Sequence, residues 1–159
     1  MSSAGATEGR LAELGLTLPD VAPPLAAYVP AVRDGDLVWT SGQVPMVGGS
    51  LEVTGKVGDG DGLVTPDRAA ELARTCALNA LAAVKFVIGD LDQVVRVVKV
   101  VGYVASDPAF TGQPAVVNGA SELLGQVFGD RGVHARSAVG VAVLPLDAPV
   151  EVEIVVRVR

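Results

Sequence analysis

The alternation of apolar and polar residues predicts most of the elements of this chain. The most regular strand pattern covers residues 94–104, where apolar side chains occupy both faces, as is typical of a strand buried on both sides. Shorter β-rich segments are predicted at residues 28–33, 37–41, 51–54, 138–143 and 150–157. The first two are separated by Arg33-Asp34-Gly35-Asp36, whose Asp-Gly pair indicates a tight hairpin.

Helical periodicity and capping residues predict three helices. Thr65-Pro66-Asp67 combines an N-cap residue, a first-turn proline and an acid, and the helix it begins should run to about Val87 and end at Gly89. A second long helix is predicted at 113–128 and a short leading helix at 7–15. Irregular structure is predicted for the proline-rich stretch that contains Pro19, Pro23 and Pro24.

The resulting order, a leading helix followed by βββαβαββ, predicts an α+β fold with a mixed sheet. The 159 residues suit one domain, 1–159, in which 1–24 form an N-terminal extension with a short helix. Two helices can cover one face of such a sheet. Because the other face also carries many valines, we expect another copy of the chain to cover it.

Composition and charge argue against several classes of partner and cofactor. The net charge of −6 argues against nucleic acid, which requires a basic footprint. Cys76 is the one cysteine and His134 the one histidine, so we expect neither a disulfide nor a metal centre. The glycine-rich run 58–62 resembles a calcium loop, but the position for its bidentate glutamate holds Ala70.

Apolar runs are too short to span a bilayer, and residues 1–9 do not have the pattern of a secretory signal. A cytoplasmic protein without a membrane partner is therefore expected.

The last two strands suggest where chemistry could take place. If they form a hairpin with Val143 opposite Val150, one face is apolar and consists of Val139, Val141, Val143, Val150, Val152, Ile154 and Val156. The other face consists of Arg136, Ala138, Gly140, Ala142, Glu151, Glu153 and Arg157. A guanidinium beside small residues is what binding of a small carboxylate requires. The alternative is a solvated sheet face with a few salt bridges.

The same register places Arg136 and Glu151 roughly 20 Å apart at about 3.3 Å per residue. They could then serve one small ligand only if the site lies between subunits, with Arg136 from one chain and Glu151 from its neighbour. An oligomer that buries the second sheet face would also assemble the site.

Several short motifs occur together in one order along the chain. They are Tyr28-Val29-Pro30-Ala31-Val32, Ser41-Gly42-Gln43-Val44-Pro45, Asn118, Ala135-Arg136-Ser137-Ala138-Val139 and Val150-Glu151-Val152-Glu153. Together they resemble the Rid family, the reactive intermediate deaminases also called YjgF proteins. The resemblance implies a chorismate-mutase-like fold, a homotrimer with sheets in a central barrel, and three clefts between subunits. It also implies cofactor-independent hydrolysis of 2-imino acids to 2-keto acids and ammonia.

The resemblance carries roles to individual residues. Arg136 would hold the substrate carboxylate and Glu151 would position the water. Binding roles are implied for Tyr28, for Asn118 and, through the backbone of their turn, for Ser41 and Gly42. In the mechanism we expect, a backbone carbonyl near Ala138 or Gly42 holds the iminium N–H. Tyr28 could instead be an interface residue and Asn118 could brace its helix, while His134 is expected to hydrogen-bond locally.

Two departures from the family pattern leave alternatives open. Ala138 occupies the place of a cysteine in the best-known deaminating members, and Gly140 the place of a frequent glutamate. The loop 47–63 and the N-terminal extension are also longer. A non-catalytic module that binds a small keto or amino acid is the second hypothesis. Ribonuclease activity is disfavoured by the acidic balance and by the absence of a pair of histidines.

Overall fold

The helices and strands of the computed structural model follow the predicted alternation. It describes residues 5–21 and 27–159, so Pro23 and Pro24 of the predicted irregular stretch lie outside the described residues. The helices are α1 (Ala6–Glu13), α2 (Pro66–Ile88) and α3 (Gln113–Phe128). The strands are β1 (Ala31–Asp34), β2 (Leu37–Thr40), β3 (Met46–Val47), β4 (Ser50–Leu51), β5 (Val94–Ala105), β6 (Ala135–Val141) and β7 (Val150–Val158).

The two long helices confirm their predicted ends. The Thr65 side chain accepts a hydrogen bond from the Arg68 backbone N–H at 3.2 Å, which caps α2. Gly89 closes α2 with a φ of 83°, in the left-handed region that favours glycine. Helix α3 has the predicted bounds, and Gly129 follows it with a φ of 60°.

The main sheet has five strands in the order β1-β2-β7-β5-β6. Strands β5 and β6 are parallel because α3 connects them as a crossover, and the other pairs are antiparallel. Strand β6 therefore forms one edge of the sheet, while β7 lies inside it. The short strands β3 and β4 form a separate hairpin.

The core lies between one face of this sheet and the two long helices. Strand β7 contributes Val150, Val152, Ile154 and Val156, all at most 1% exposed. Helices α2 and α3 pack closely, because Gly119 places its Cα against the backbone carbonyl of Ala70, where a Cβ would overlap. The small residues of the composition thus permit close packing between backbones.

Helix α1 packs on its own chain. The Asp92 carboxylate accepts hydrogen bonds from the backbone N–H groups of Ala6 and Thr7, both at 2.8 Å, and from the Thr7 hydroxyl at 2.6 Å. These bonds, led by that of the Thr7 hydroxyl, lower the pKa of Asp92. Glu8 pairs with Lys85 of α2 at 2.5 Å. A distant carboxylate thus caps α1, which begins at Ala6 rather than at Thr7.

The predicted C-terminal hairpin is wrong. Strands β6 and β7 are not neighbours, because β5 lies between them, and Val143, which was placed opposite Val150, lies beyond β6 and is 69% exposed. Parallel pairing with β5 also reverses the predicted faces of β6. Val139 faces the side without helices with Tyr103 of β5, whereas Arg136 and Ala138 face the helices.

Smaller differences concern β5 and the glycine-rich loop. Register shifts of β5 against β7 place Val94, Val97 and Val100 on the buried side, although strict alternation separates Val97 from the other two. A β-bulge has this effect because an extra residue changes which side the following side chains face. The strand predicted at 51–54 is replaced by β3 and β4, and β6 begins at Ala135 rather than Ala138.

Within residues 5–21 and 27–159, no element covers the second face of the sheet. It exposes Val32, Trp39 and Val139 by 52%, 51% and 44%, beside partly exposed Val101 and Val155. Over residues 5–21 and 27–159, no helix has the length and hydropathy of a membrane span. In the same ranges, no three histidine, cysteine or acidic residues converge as metal ligands.

Candidate functional site

Arg136 lies on the edge strand β6 and extends over α3. Its Nη1 donates hydrogen bonds to Asn118 Oδ1 at 2.7 Å and to Ser121 Oγ at 3.3 Å. Its Nη2 donates to the Pro114 carbonyl at 3.3 Å. Among the described residues no carboxylate lies within 4.0 Å of this guanidinium. Arg136 is thus a half-buried, oriented cation whose remaining N–H groups are available to an anion.

Small residues follow Arg136 on β6, and one amide of α3 lies against them. Ala138 is partly buried and packs against the core. At Gly140 a Cβ would come within 2.7 Å of the Gln113 amide nitrogen. That nitrogen donates to the Phe110 carbonyl at 2.8 Å and to Ser106 Oγ at 3.2 Å. The space at Gly140 is therefore occupied by Gln113.

Glu151 belongs to β7 and lies on the opposite face of the sheet. Its Cα partner on β5 is Tyr103, whereas Arg136 pairs with Val100 and, through it, with Ile154. Glu151 is half-buried, and burial raises the pKa of its carboxyl, with a smaller effect from the charge of Glu153. A carboxylate with a raised pKa is a stronger base than an ordinary glutamate.

The residues around Glu151 form a second polar group on that face. The Tyr103 hydroxyl donates to Glu153 Oε1 at 2.7 Å. This bond, with burial and the two nearby glutamates, raises the pKa of Tyr103 to about 12. Tyr103 therefore remains protonated near neutral pH and holds Glu153 beside Glu151.

The segment after β2 brings Gly42 against Glu151. Gln43 exchanges two backbone hydrogen bonds with Val152, at 2.8 and 3.0 Å, so the chain continues along β7 beyond Thr40. A Cβ at Gly42 would overlap the Glu151 carboxylate. The Ser41 hydroxyl donates to the Val29 carbonyl at 2.6 Å. This bond ties the segment of Tyr28, which is 61% exposed, to the same turn.

The predicted site residues thus fall into two groups. The structure brings Arg136, Asn118 and Ala138 together where β6 meets α3. It brings Ser41, Gly42 and Glu151 together beside β7, with Tyr28 next to the residue that Ser41 binds. The prediction that Arg136 and Glu151 share one face is wrong, since β6 pairs with β5 rather than with β7.

Known proteins share this architecture over the whole chain. The family model described as "YjgF/chorismate_mutase-like, putative endoribonuclease" matches residues 8–157. The chain belongs to the YjgF/Rid family. Protein TCP17 of Trypanosoma cruzi is 45% identical over 99% of this chain and 97% of its own length.

Solved structures of similar proteins differ in how closely they match this chain. Atu1372 of Agrobacterium tumefaciens is 46% identical, with a TM-score of 0.88 over 97% of this chain and 93% of that one. E. coli TdcF, crystallised with bound serine, is 27% identical, with a TM-score of 0.58 over 87% of this chain and 94% of that one. The mixed α+β fold is therefore that of the YjgF/Rid family.

Sequence reasoning missed three polar residues next to these two groups, namely Ser121, Gln113 and Tyr103. Ser121 binds Arg136 of β6 and Gln113 binds Ser106 in the segment after β5, but helical periodicity alone does not show which strand their helix covers. The Tyr103–Glu153 pair depends on the antiparallel register of β5 and β7. Alternation within each strand does not give the register between the two strands.

Gly42→Ala is expected to displace the Glu151 carboxylate. The overlapping atoms belong to the end of a flexible side chain, so the carboxyl should turn towards water while the fold persists. Its pKa should then fall towards the ordinary glutamate value. Carboxyl-carbon NMR titration measures this change. Gly125→Ala is the matched control, since a Cβ there meets nothing within 4 Å. An unchanged pKa in the Gly42 variant would contradict the packing described.

Proposed function

We propose that this protein hydrolyses small 2-imino acids to 2-keto acids and ammonia, without a cofactor, in clefts between the subunits of a homotrimer. The observation that carries the proposal is that one chain contains two groups of site residues, neither of which is sufficient for the reaction alone. An oriented arginine without a carboxylate partner among the described residues lies at one sheet edge, and a half-buried glutamate lies on the other sheet face. The arginine can hold the substrate carboxylate, and the glutamate can accept a proton from the attacking water.

The reaction requires little more than these two groups. A protonated imine carbon is already electrophilic, so Arg136 has only to hold the substrate carboxylate. Glu151 accepts a proton as a water oxygen forms its bond to the imine carbon. It then returns that proton to the nitrogen of the carbinolamine, and as the C–N bond breaks and ammonia leaves, the hydroxyl proton passes back to Glu151 and the 2-keto acid forms. A backbone carbonyl near Ala138 or Gly42 would accept a hydrogen bond from the iminium N–H.

The uncovered sheet face supports an oligomer. Val32, Trp39 and Val139 form part of an apolar surface that a second copy of the chain would bury. In the proposed trimer, the β6 edge of one subunit would lie near the sheet face of the next. The whole of residues 1–159 would act as a single domain in it.

Ammonia release tests the proposal directly. Imines generated in situ from several amino acids by an amino-acid oxidase are offered to the protein, and ammonia and 2-keto acid formation are followed. We expect faster hydrolysis than in buffer, with a preference for small side chains. A rate equal to that of buffer for every imine would reject the deaminase function.

A non-catalytic module that binds a small carboxylate is the second candidate. Ala138 favours it, because the best-known deaminating members carry a cysteine at that position. The serine bound by TdcF supports an amino or keto acid as the ligand. This function predicts thermal stabilisation by a small keto or amino acid without any release of ammonia.

Ribonuclease activity, named in the family description, has less support here. The net charge of −6 opposes binding of a phosphate backbone. RNA degradation that persists in Arg136→Ala and varies between preparations would identify a contaminant.

A further inference from the structure

A chain of three hydrogen bonds runs from the Gly132 carbonyl, through the one histidine of the sequence, to the Arg136 guanidinium. His134 Nδ1 lies 2.6 Å from the Gly132 carbonyl oxygen, and His134 Nε2 lies 2.9 Å from Ser121 Oγ. Ser121 Oγ in turn lies 3.3 Å from Arg136 Nη1. Of the residues joined by these bonds, Arg136 alone has a role implied by the family resemblance.

The chemistry of the partners fixes the direction of these bonds. A carbonyl oxygen only accepts, so Nδ1 must carry the ring proton of a neutral His134. Nε2 then has a free lone pair and accepts from the Ser121 hydroxyl. The Ser121 oxygen, having donated its proton to the ring, presents its lone pairs to the guanidinium.

The direction of these bonds matters for Arg136 because a guanidinium is planar and its N–H groups point in fixed directions. It binds a carboxylate with two parallel hydrogen bonds only when its plane is fixed. Asn118 and Ser121 both accept from Nη1 and lie on successive turns of α3, so together they fix the side of the guanidinium that faces the helix. A Ser121 hydroxyl turned the other way would direct its proton at the guanidinium.

We infer that Ser121 and His134 are positioning residues that hold Arg136 in its carboxylate-binding orientation. The inference rests on the proposed function, because it assumes that Arg136 is the carboxylate ligand. His134 acts through Ser121 and does not touch the substrate.

The alternative is a purely structural role, in which His134 and Ser121 only fasten the start of β6 to α3. Both roles predict some loss of stability when Ser121 is changed. Only the positioning role predicts that the His134 ring responds to a ligand on Arg136 and that ligand affinity depends on the Ser121 hydroxyl.

The experiment uses the full-length protein labelled with ¹⁵N, in which one histidine gives an unambiguous imidazole signal. Pyruvate, the 2-keto acid product of 2-iminopropanoate, is titrated into the parent and into Ser121→Ala, Ser121→Thr and Arg136→Ala. Ser50→Ala, at an exposed serine of β4, is the matched control. Ring nitrogen shifts report the tautomer, and calorimetry reports Kd.

We expect the Nδ1–H tautomer in the free parent and a shift of the ring signals as pyruvate binds. In Ser121→Ala the shift should vanish and Kd should rise about three- to tenfold, the effect of one hydrogen bond. Ser121→Thr, which keeps a hydroxyl, should restore both properties, and Ser50→Ala should match the parent.

Other outcomes separate the inference from the proposed function. An Nε2–H tautomer in the free parent overturns the inference whatever binds. Equal pyruvate affinity in the parent and in Ser121→Ala, with binding lost in Arg136→Ala, overturns it while sparing the proposed function. Pyruvate binding that persists in Arg136→Ala rejects Arg136 as the ligand and the inference with it.

Discussion

Arg136→Ala is expected to lower kcat/KM for imine hydrolysis by on the order of 10²–10³-fold, the usual effect of removing one partner of a desolvated charge pair. The substrate carboxylate would lose its cation and with it the fixed position of the imine carbon. The fold should persist, because the hydrogen bonds of Arg136 lie at the partly exposed edge where β6 meets α3. Ammonia release gives the rate, and light scattering after size exclusion gives the oligomeric state.

Two further variants make this result specific. Arg136→Lys keeps the charge but not the planar guanidinium, so part of the activity should remain. Arg10→Ala removes an exposed arginine of α1, paired with Glu13, and should leave the rate unchanged. Parental activity in Arg136→Ala would show that another group binds the carboxylate.

Glu151→Gln is expected to lower kcat by about 10²–10⁴-fold, the usual contribution of one general base. Glutamine has nearly the same shape, so pyruvate binding should change little and the loss should appear in kcat. The control is Glu13→Gln, at an exposed glutamate on α1. A Glu151→Gln variant that turns over imines at the parental rate would leave the water without the base proposed here.

The raised pKa of Glu151 adds a stability effect of defined sign. Between the ordinary glutamate value and the raised one, the native state binds more protons than the unfolded state, so stability falls as pH rises through this window. Glu151→Gln should therefore raise the melting temperature near neutral pH, on the order of 1 °C. The gain should disappear as pH falls towards about 4.3.

Activity should decline on the acid side at a pH above the ordinary glutamate pKa, where Glu151 takes up its proton.

Local signals in the sequence predicted both long helices, most of the strands and the buried face of β7 correctly. Thr65 and Gly89 bound α2 as expected, and alternate residues of β7 from Val150 to Val156 are buried as their pattern indicated. These features depend on neighbours a few residues apart along the chain, which a single sequence displays.

Non-local pairing is what the sequence did not display. The loop 144–149 resembles a hairpin connection, yet it takes the chain past β5, because β7 fits between β2 and β5. Pairing of β6 with β5 then turned Arg136 towards α3 and away from Glu151. The distance of roughly 20 Å predicted between the two residues along the sheet had suggested an intersubunit site. Their position on opposite faces of the sheet favours the same hypothesis for a different physical reason.

The polar partners of Arg136 illustrate the same limit. Asn118 was expected near the cleft from the family pattern, but Ser121 became visible only when α3 was placed over β6. Its relation to His134 depends on how Gly132 turns the chain into that strand.

Complementation between inactive variants tests the central claim most directly. Arg136→Ala retains Glu151, and Glu151→Gln retains Arg136, so a mixed oligomer can form an intact site only where the two chains meet. After equal amounts are unfolded and refolded together, random assembly should restore about a quarter of the parental activity. Each variant refolded alone should stay inactive. If the mixture is no more active than the separate variants, the arginine and the glutamate do not act across a subunit boundary.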